Sequence, residues 1–187
     1  MRIRLKKYQS EFPQGPFQKP NLTSLEIFGD SIDNIPAEIK ELKYLKTLSI
    51  STKALKVFPN CLFEIPSLKI LKLKNGILES FSSEPPRRCQ IVNLQLTNNL
   101  IAEIPHWFGD LNSLKELDLA GNNLQELPLQ FAKLKALNRL NLDRNQLQEV
   151  YHCLQYLPNL NHLSLDNNPL TAADKKLLTK ELNLWFT

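Results

Sequence analysis

The sequence predicts an α/β solenoid, with short parallel strands on its inner face and helical or 3-10 return segments outside. Three observations predict it. Leucine-like residues recur at Leu22, Leu45, Leu68, Ile91, Leu114, Leu137 and Leu160, always 23 residues apart. Two copies, LKELDLAGNNLQELPLQFAKLKA (114–136) and LNRLNLDRNQLQEVYHCLQYLPN (137–159), share L-x-x-L-x-L-x-x-N-x-L, with Leu127 and Val150 three residues further on. Proline opens the return segment at Pro36, Pro59, Pro105 and Pro128. A fixed period of this length is the mark of stacked coils, each unable to bury its apolar face alone.

Each element of the coil has its own reason. In L-x-L the two leucines of a strand point to one face and the intervening residues to the other. A turn follows at the asparagine position. Proline then suits the start of a short helical stretch, since its φ is set and its missing N–H would have had no partner there.

This pattern resembles the leucine-rich repeat, over roughly residues 22–170. The resemblance implies a right-handed solenoid shaped as a horseshoe arc, with a parallel concave sheet and short helical or 3-10 convex segments. It also implies that Asn99, Asn122, Asn145 and Asn168 form a structural ladder, hydrogen-bonded to the backbones of neighbouring coils. Burying them unpaired would cost about 1–3 kcal/mol each. Earlier copies carry Asp30, Lys53 and Gly76 there, so the N-terminal half is expected to be less regular.

One domain of residues 1–187 is expected, with an N-terminal cap (1–21), seven repeats (22–170) and a C-terminal cap helix and strand (171–187). In the N-terminal cap, Ile3 and Leu5 alternate with Arg2, Arg4 and Lys6, as in an edge strand protected by charge. EFPQGPFQKP (11–20) echoes a truncated return segment, with Phe12-Pro13 one period before Ile35-Pro36.

The stretch SFSSEPPRRCQ (80–90) has the look of a hinge, yet the next copy begins on schedule at Ile91. Ser82 replaces the usual proline, Pro85 stands at the phenylalanine position and Arg88 at a leucine position. A loosened convex loop is expected, with a convex docking site on Arg87 and Arg88 as the alternative. At the C-terminus, Thr171 and Asp174 resemble a capping box before a helix carrying Leu177, Leu178 and Leu182. Leu184, Trp185 and Phe186 would then cover the last coil.

Composition narrows the function. The net charge of +4 is carried by residues 1–20, and the rest is neutral, which argues against nucleic acid as a partner. No apolar run approaches the ~20 residues that span a bilayer, which argues against a membrane. MRIRLKKYQSEF has no apolar stretch like that of a secretory signal, so a cytoplasmic location is expected. Export without a signal peptide, as an effector, is the alternative.

Nothing in the chain suggests catalysis. Cys61, Cys89 and Cys153 have no paired spacing and read as reduced thiols. His106, His152 and His162 form no metal-ligand spacing, and no phosphate loop or nucleophile elbow is present. No enzyme activity, cofactor, metal or small-molecule substrate is expected.

The inner sheet face remains. Its candidate partner-binding residues are Phe28, Ser49, Ser51, Ile70, Lys72, Lys74, Asn93, Gln95, Glu116, Asp118, Arg139, Asn141, Asp143 and His162. They lie at the third, fifth and seventh places of each copy, and the eighth place is counted with them. Phe28 and Ile70 are expected as apolar anchors, and Glu116 with Arg139 as a cross-strand ion pair. Proteins with this fold commonly grip partner proteins on the concave face, so the resemblance implies a protein-interaction module. The period is similar to that of cytosolic scaffolds associated with small GTPases and of free-standing bacterial proteins. The alternatives are therefore a regulator of a signalling enzyme, such as a small GTPase or phosphatase, and a bacterial effector acting on host proteins.

Overall fold

The computed structural model describes residues 1–6 and 8–182. Its strands are β1 (Arg2–Arg4), β2 (Ser24–Phe28), β3 (Thr47–Ser51), β4 (Ile70–Leu73), β5 (Asn93–Gln95), β6 (Glu116–Asp118), β7 (Arg139–Asn141) and β8 (His162–Ser164). They form one open sheet in chain order, every neighbouring pair parallel. From β2 onward the register advances by one repeat per strand, so Leu48 pairs with Leu71, Leu94 with Leu117 and Leu140 with Leu163. This is the right-handed solenoid expected.

The period writes the core. Leu25, Leu48, Leu71, Leu94, Leu117 and Leu140 make one buried column, and Ile27, Ile50, Leu73, Leu96, Leu119 and Leu142 the next. On the convex side Ile39, Leu62, Phe108, Phe131 and Leu154 fill the third. Short 3-10 helices at Ala37–Glu41, Asn60–Leu62, His106–Asp110 and Leu129–Lys133 each follow one of the four prolines, which sits in extended backbone as N-cap. In the coil of residues 137–159 a short α-helix, α1 (Tyr151–Leu154), takes their place.

The asparagines form a hydrogen-bonded ladder. Asn99 Oδ1 accepts the Leu78 N–H at 3.2 Å, and its Nδ2 donates to Leu73 O and Leu96 O at 2.9 and 3.0 Å. Asn122, Asn145 and Asn168 repeat this one coil on each time. Just before the ladder position, Asn75, Asn98, Gly121, Arg144 and Asn167 all turn the chain with positive φ. The first two full coils lack this turn and run five-residue strands instead. Thr52 serves there: its hydroxyl donates to Ile32 O at 2.6 Å and accepts the Ala54 N–H at 3.2 Å. Thr52 occupies an eighth place yet is buried, so that place does not belong to the inner surface in this coil.

In residues 68–90 the strand is kept and no return helix forms. The convex side keeps apolar contact there, although Ser82, Pro85 and Arg88 stand in place of the usual proline, phenylalanine and leucine. Phe81 packs between Phe58 at 5.3 Å and Phe108 at 5.1 Å. Trp107 meets Phe63 edge-on at 5.7 Å and donates its indole N–H to Ser82 O at 3.0 Å. Phe81 of this coil and aromatic rings of the adjacent coils thus share part of the space where the helix is missing.

The C-terminal helix α2 (Ala172–Leu182) departs from the expected capping box. Thr171 Oγ1 does accept the Asp174 N–H, at 3.1 Å. The Asp174 carboxylate instead turns to the preceding coil and accepts the N–H groups of Val150 and Tyr151 at 3.2 and 3.1 Å. The reason lies in Tyr151, which stands where four other coils have proline and so brings an N–H that proline lacks. Leu178 is buried and Leu182 half-buried, whereas Leu177 is exposed rather than core-facing. Leu184, Trp185 and Phe186 lie outside the described residues.

Candidate functional site on the inner sheet

Parallel pairing lines the inward residues into rows across the sheet. One row runs Ser24, Thr47, Ile70, Asn93, Glu116, Arg139, His162, and the next Glu26, Ser49, Lys72, Gln95, Asp118, Asn141, Ser164. The C-terminal half of this face forms a concavity of about 620 Å³. Asn93, Gln95, Glu116, Asp118, Arg139, Asn141 and His162 line it together. Ser49, Ser51, Ile70, Lys72 and Lys74 lie outside it, half-buried on the N-terminal side of the same sheet.

Within the concavity the polar groups are partly tied together. Gln95 Nε2 donates to Asn93 Oδ1 at 3.0 Å, and Asn93 Nδ2 donates in turn to Glu116 Oε2. The expected Glu116–Arg139 ion pair does not form, because a carboxylate between two strands has two neighbours and this one takes the amide. Arg139 stays exposed. Beside the concavity, Asp143 Oδ1 accepts the Ser164 hydroxyl at 2.6 Å and the Asp166 N–H at 2.8 Å. Asp118 Oδ1 accepts the Ala120 N–H at 3.2 Å. Burial pushes the Asp118 carboxyl above its ordinary value; the Ala120 N–H, Lys74 and Arg144 offset part of this, and Asp143 adds to it.

At the N-terminal edge, Phe28 is not a free apolar anchor. The guanidinium carbons of Arg2 and Arg4, both on β1, lie 5.6 and 5.7 Å from its ring centroid. Arg2 Nε also pairs with Glu26 Oε2 at 2.5 Å. The alternation of β1 pointed to an edge strand, but only the register of β1 on β2 places Arg4 opposite Phe28. Arg87 and Arg88 are exposed on the convex loop, away from the concavity.

Burial raises the thiols as well: Cys89 and Cys153 are each pushed up to about 11, and Cys61 is also raised. Thiols shifted this way are protonated near neutral pH and poor nucleophiles. Cys153 Sγ lies 3.3 Å from Leu127 O, a structural contact. Among the described residues no His, Cys, Asp and Glu gather as a metal cluster, and no helix is long and apolar enough to cross a membrane.

A leucine-rich repeat family profile matches residues 127–170, and a second leucine-rich repeat profile matches residues 113–134. Those segments carry the most regular coils of the ladder. An internalin from Listeria monocytogenes superposes with a TM-score of 0.67 at 19% identity, covering 88% of this chain and 54% of that one. A leucine-rich repeat protein of Leptospira interrogans matches with a TM-score of 0.52 at 26% identity, covering 86% and 53%.

The chain is a leucine-rich repeat protein.

A third leucine-rich repeat structure matches with a TM-score of 0.59 at 30% identity, covering 81% of this chain and 19% of the other. It is the ectodomain of the Arabidopsis thaliana membrane receptor kinase GASSHO1/SCHENGEN3, in complex with Casparian strip integrity factor 2. The leucine-rich repeat chain described here thus spans about half of the two bacterial structures and about a fifth of the plant one. Leucine-rich repeat proteins are typically protein-interaction modules, and their fold is generally non-enzymatic.

Proposed function

We propose that this leucine-rich repeat protein binds a partner protein through the C-terminal half of its inner sheet. The observation that carries this reading is the concavity over β5–β8, with Glu116, Asp118, Arg139 and His162 presented on one backbone-rigid surface. Side chains held on a sheet lose little further freedom on binding, so the ordering cost of association is small. Charges of both signs on the floor favour a partner surface of mixed charge, whose register they would set. A regulator of a small GTPase or phosphatase would use the same surface, with that enzyme as occupant.

An affinity capture with Glu116→Lys plus Arg139→Glu tests it. The expected result is loss of the partners held by the wild-type protein, while Arg87→Glu plus Arg88→Glu keeps them. Unchanged capture by the inner-face variant, or loss with the convex variant alone, would overturn the assignment.

A further inference from the structure

The coil that lacks a return helix leaves a cleft of about 630 Å³ on the outer side of the solenoid. Phe81, Pro85, Ile104, Pro105 and Trp107 wall its apolar part, and the Trp107 indole bonded to Ser82 O holds the wall in place. A second trough of about 540 Å³ shares Glu103 and Glu126 with this cleft and continues to Glu149. These glutamates stand one period apart, so successive coils stack them along one line, and all three are exposed. Among the described residues none of them has a lysine or arginine within ion-pair distance.

We propose that this continuous trough docks an extended basic segment of a partner protein, separately from the inner sheet. An apolar or proline side chain seats at the Phe81–Trp107 end, and arginine or lysine side chains meet Glu103, Glu126 and Glu149. Charge complementarity selects this occupant: an acidic or neutral segment would leave the column of carboxylates unpaired. An extended segment presents every second side chain on one face, so it can run along a row of acceptors on stacked coils. Proline fits the cleft for a further reason, because its backbone is already extended and loses little freedom on docking. The protein's own basic end does not serve, since Arg2 is engaged with Glu26 and both Arg2 and Arg4 with Phe28.

The test is selection of a random dodecapeptide phage library on the whole protein, followed by affinity measurement of the enriched peptides. The expected sequences carry net positive charge with a proline or aromatic residue. Their affinity should fall about tenfold or more with Glu103→Gln, Glu126→Gln and Glu149→Gln combined, and with Pro85→Arg. These positions are exposed, so circular dichroism should show an unchanged fold. Binding should be unaffected by the inner-face pair Glu116→Lys and Arg139→Glu, which separates this surface from the one proposed above. Absence of enrichment, enrichment of neutral or acidic peptides, equal binding by the glutamine variant, or loss with the inner-face pair would each overturn the proposal.

Discussion

Replacing Asn122 by alanine removes three hydrogen bonds and a longer fourth one to Ala120 O at 3.5 Å, but the cost is set by what each partner has left. Asn122 Nδ2 donates to Leu96 O and Leu119 O at 3.0 and 2.8 Å. Leu96 O keeps a bond from Asn99 and Leu119 O one from Asn145, both at 3.0 Å. The Ile101 N–H, which donates to Asn122 Oδ1 at 3.1 Å, has no second acceptor and becomes a buried orphan. That orphan costs about 1–3 kcal/mol, and losing the two shared bonds adds somewhat less than about 1 kcal/mol each, for a total of roughly 2–4 kcal/mol. Urea unfolding followed by circular dichroism measures it, against exposed Asn112→Ala, which should stay within about 0.5 kcal/mol of wild type. Asn122→Asp sharpens the test. Its carboxylate would face two carbonyls it cannot donate to, raising its folded pKa above the unfolded value. Stability should therefore be highest below the unfolded carboxylate range and fall as pH rises through it. If Asn122→Ala is no more costly than Asn112→Ala, the ladder is not a stabilising device and the reasoning fails.

Other outcomes follow from single positions. Arg144 carries a side chain at φ 54°, where a neighbouring coil has Gly121 and others have asparagine, so Arg144→Asn should stabilise by about 0.5–1 kcal/mol in thermal denaturation; a lower melting temperature would contradict it. Asp174→Ala should cost about 1–3 kcal/mol, because the Val150 and Tyr151 N–H groups lose their acceptor; denaturation at wild-type urea concentration would show the pairing to be idle. Asp118 has a folded pKa above its unfolded one, so its ionised form destabilises the fold above that range and the penalty vanishes as pH falls below it. Asp118→Asn keeps the acceptor for the Ala120 N–H and should raise the urea midpoint at pH 7 but not at pH 3; an equal gain at both would assign the effect to something other than charge.

The coil was readable because its contacts repeat with its sequence. Asn122 meets residues one coil away, and the same separation appears in the chain, so a ladder position can be found by counting. The inner rows were readable for the same reason, and seven of the residues counted onto that face line one concavity. Side chains with two competing partners were not readable. Glu116 has a strand on either side, and periodicity ranks neither the amide of Asn93 nor the guanidinium of Arg139 above the other. The cleft beside Trp107 has a visible trace in the sequence, a departure from pattern at Ser82, Pro85 and Arg88. Its depth depends on where Phe81 and Trp107 pack, which no repeat position specifies.

The sequence by itself determined the period, the stacked parallel strands, the buried leucine columns and the turn asparagines, since each needs only one residue type at one spacing. Tertiary structure alone decided that β1 lays two arginines over Phe28, that Asp174 serves the preceding coil, and that an apolar cleft joins a line of glutamates. Those outcomes arise where groups distant in register compete for the same space or the same unpaired N–H, and no repeat period encodes the winner.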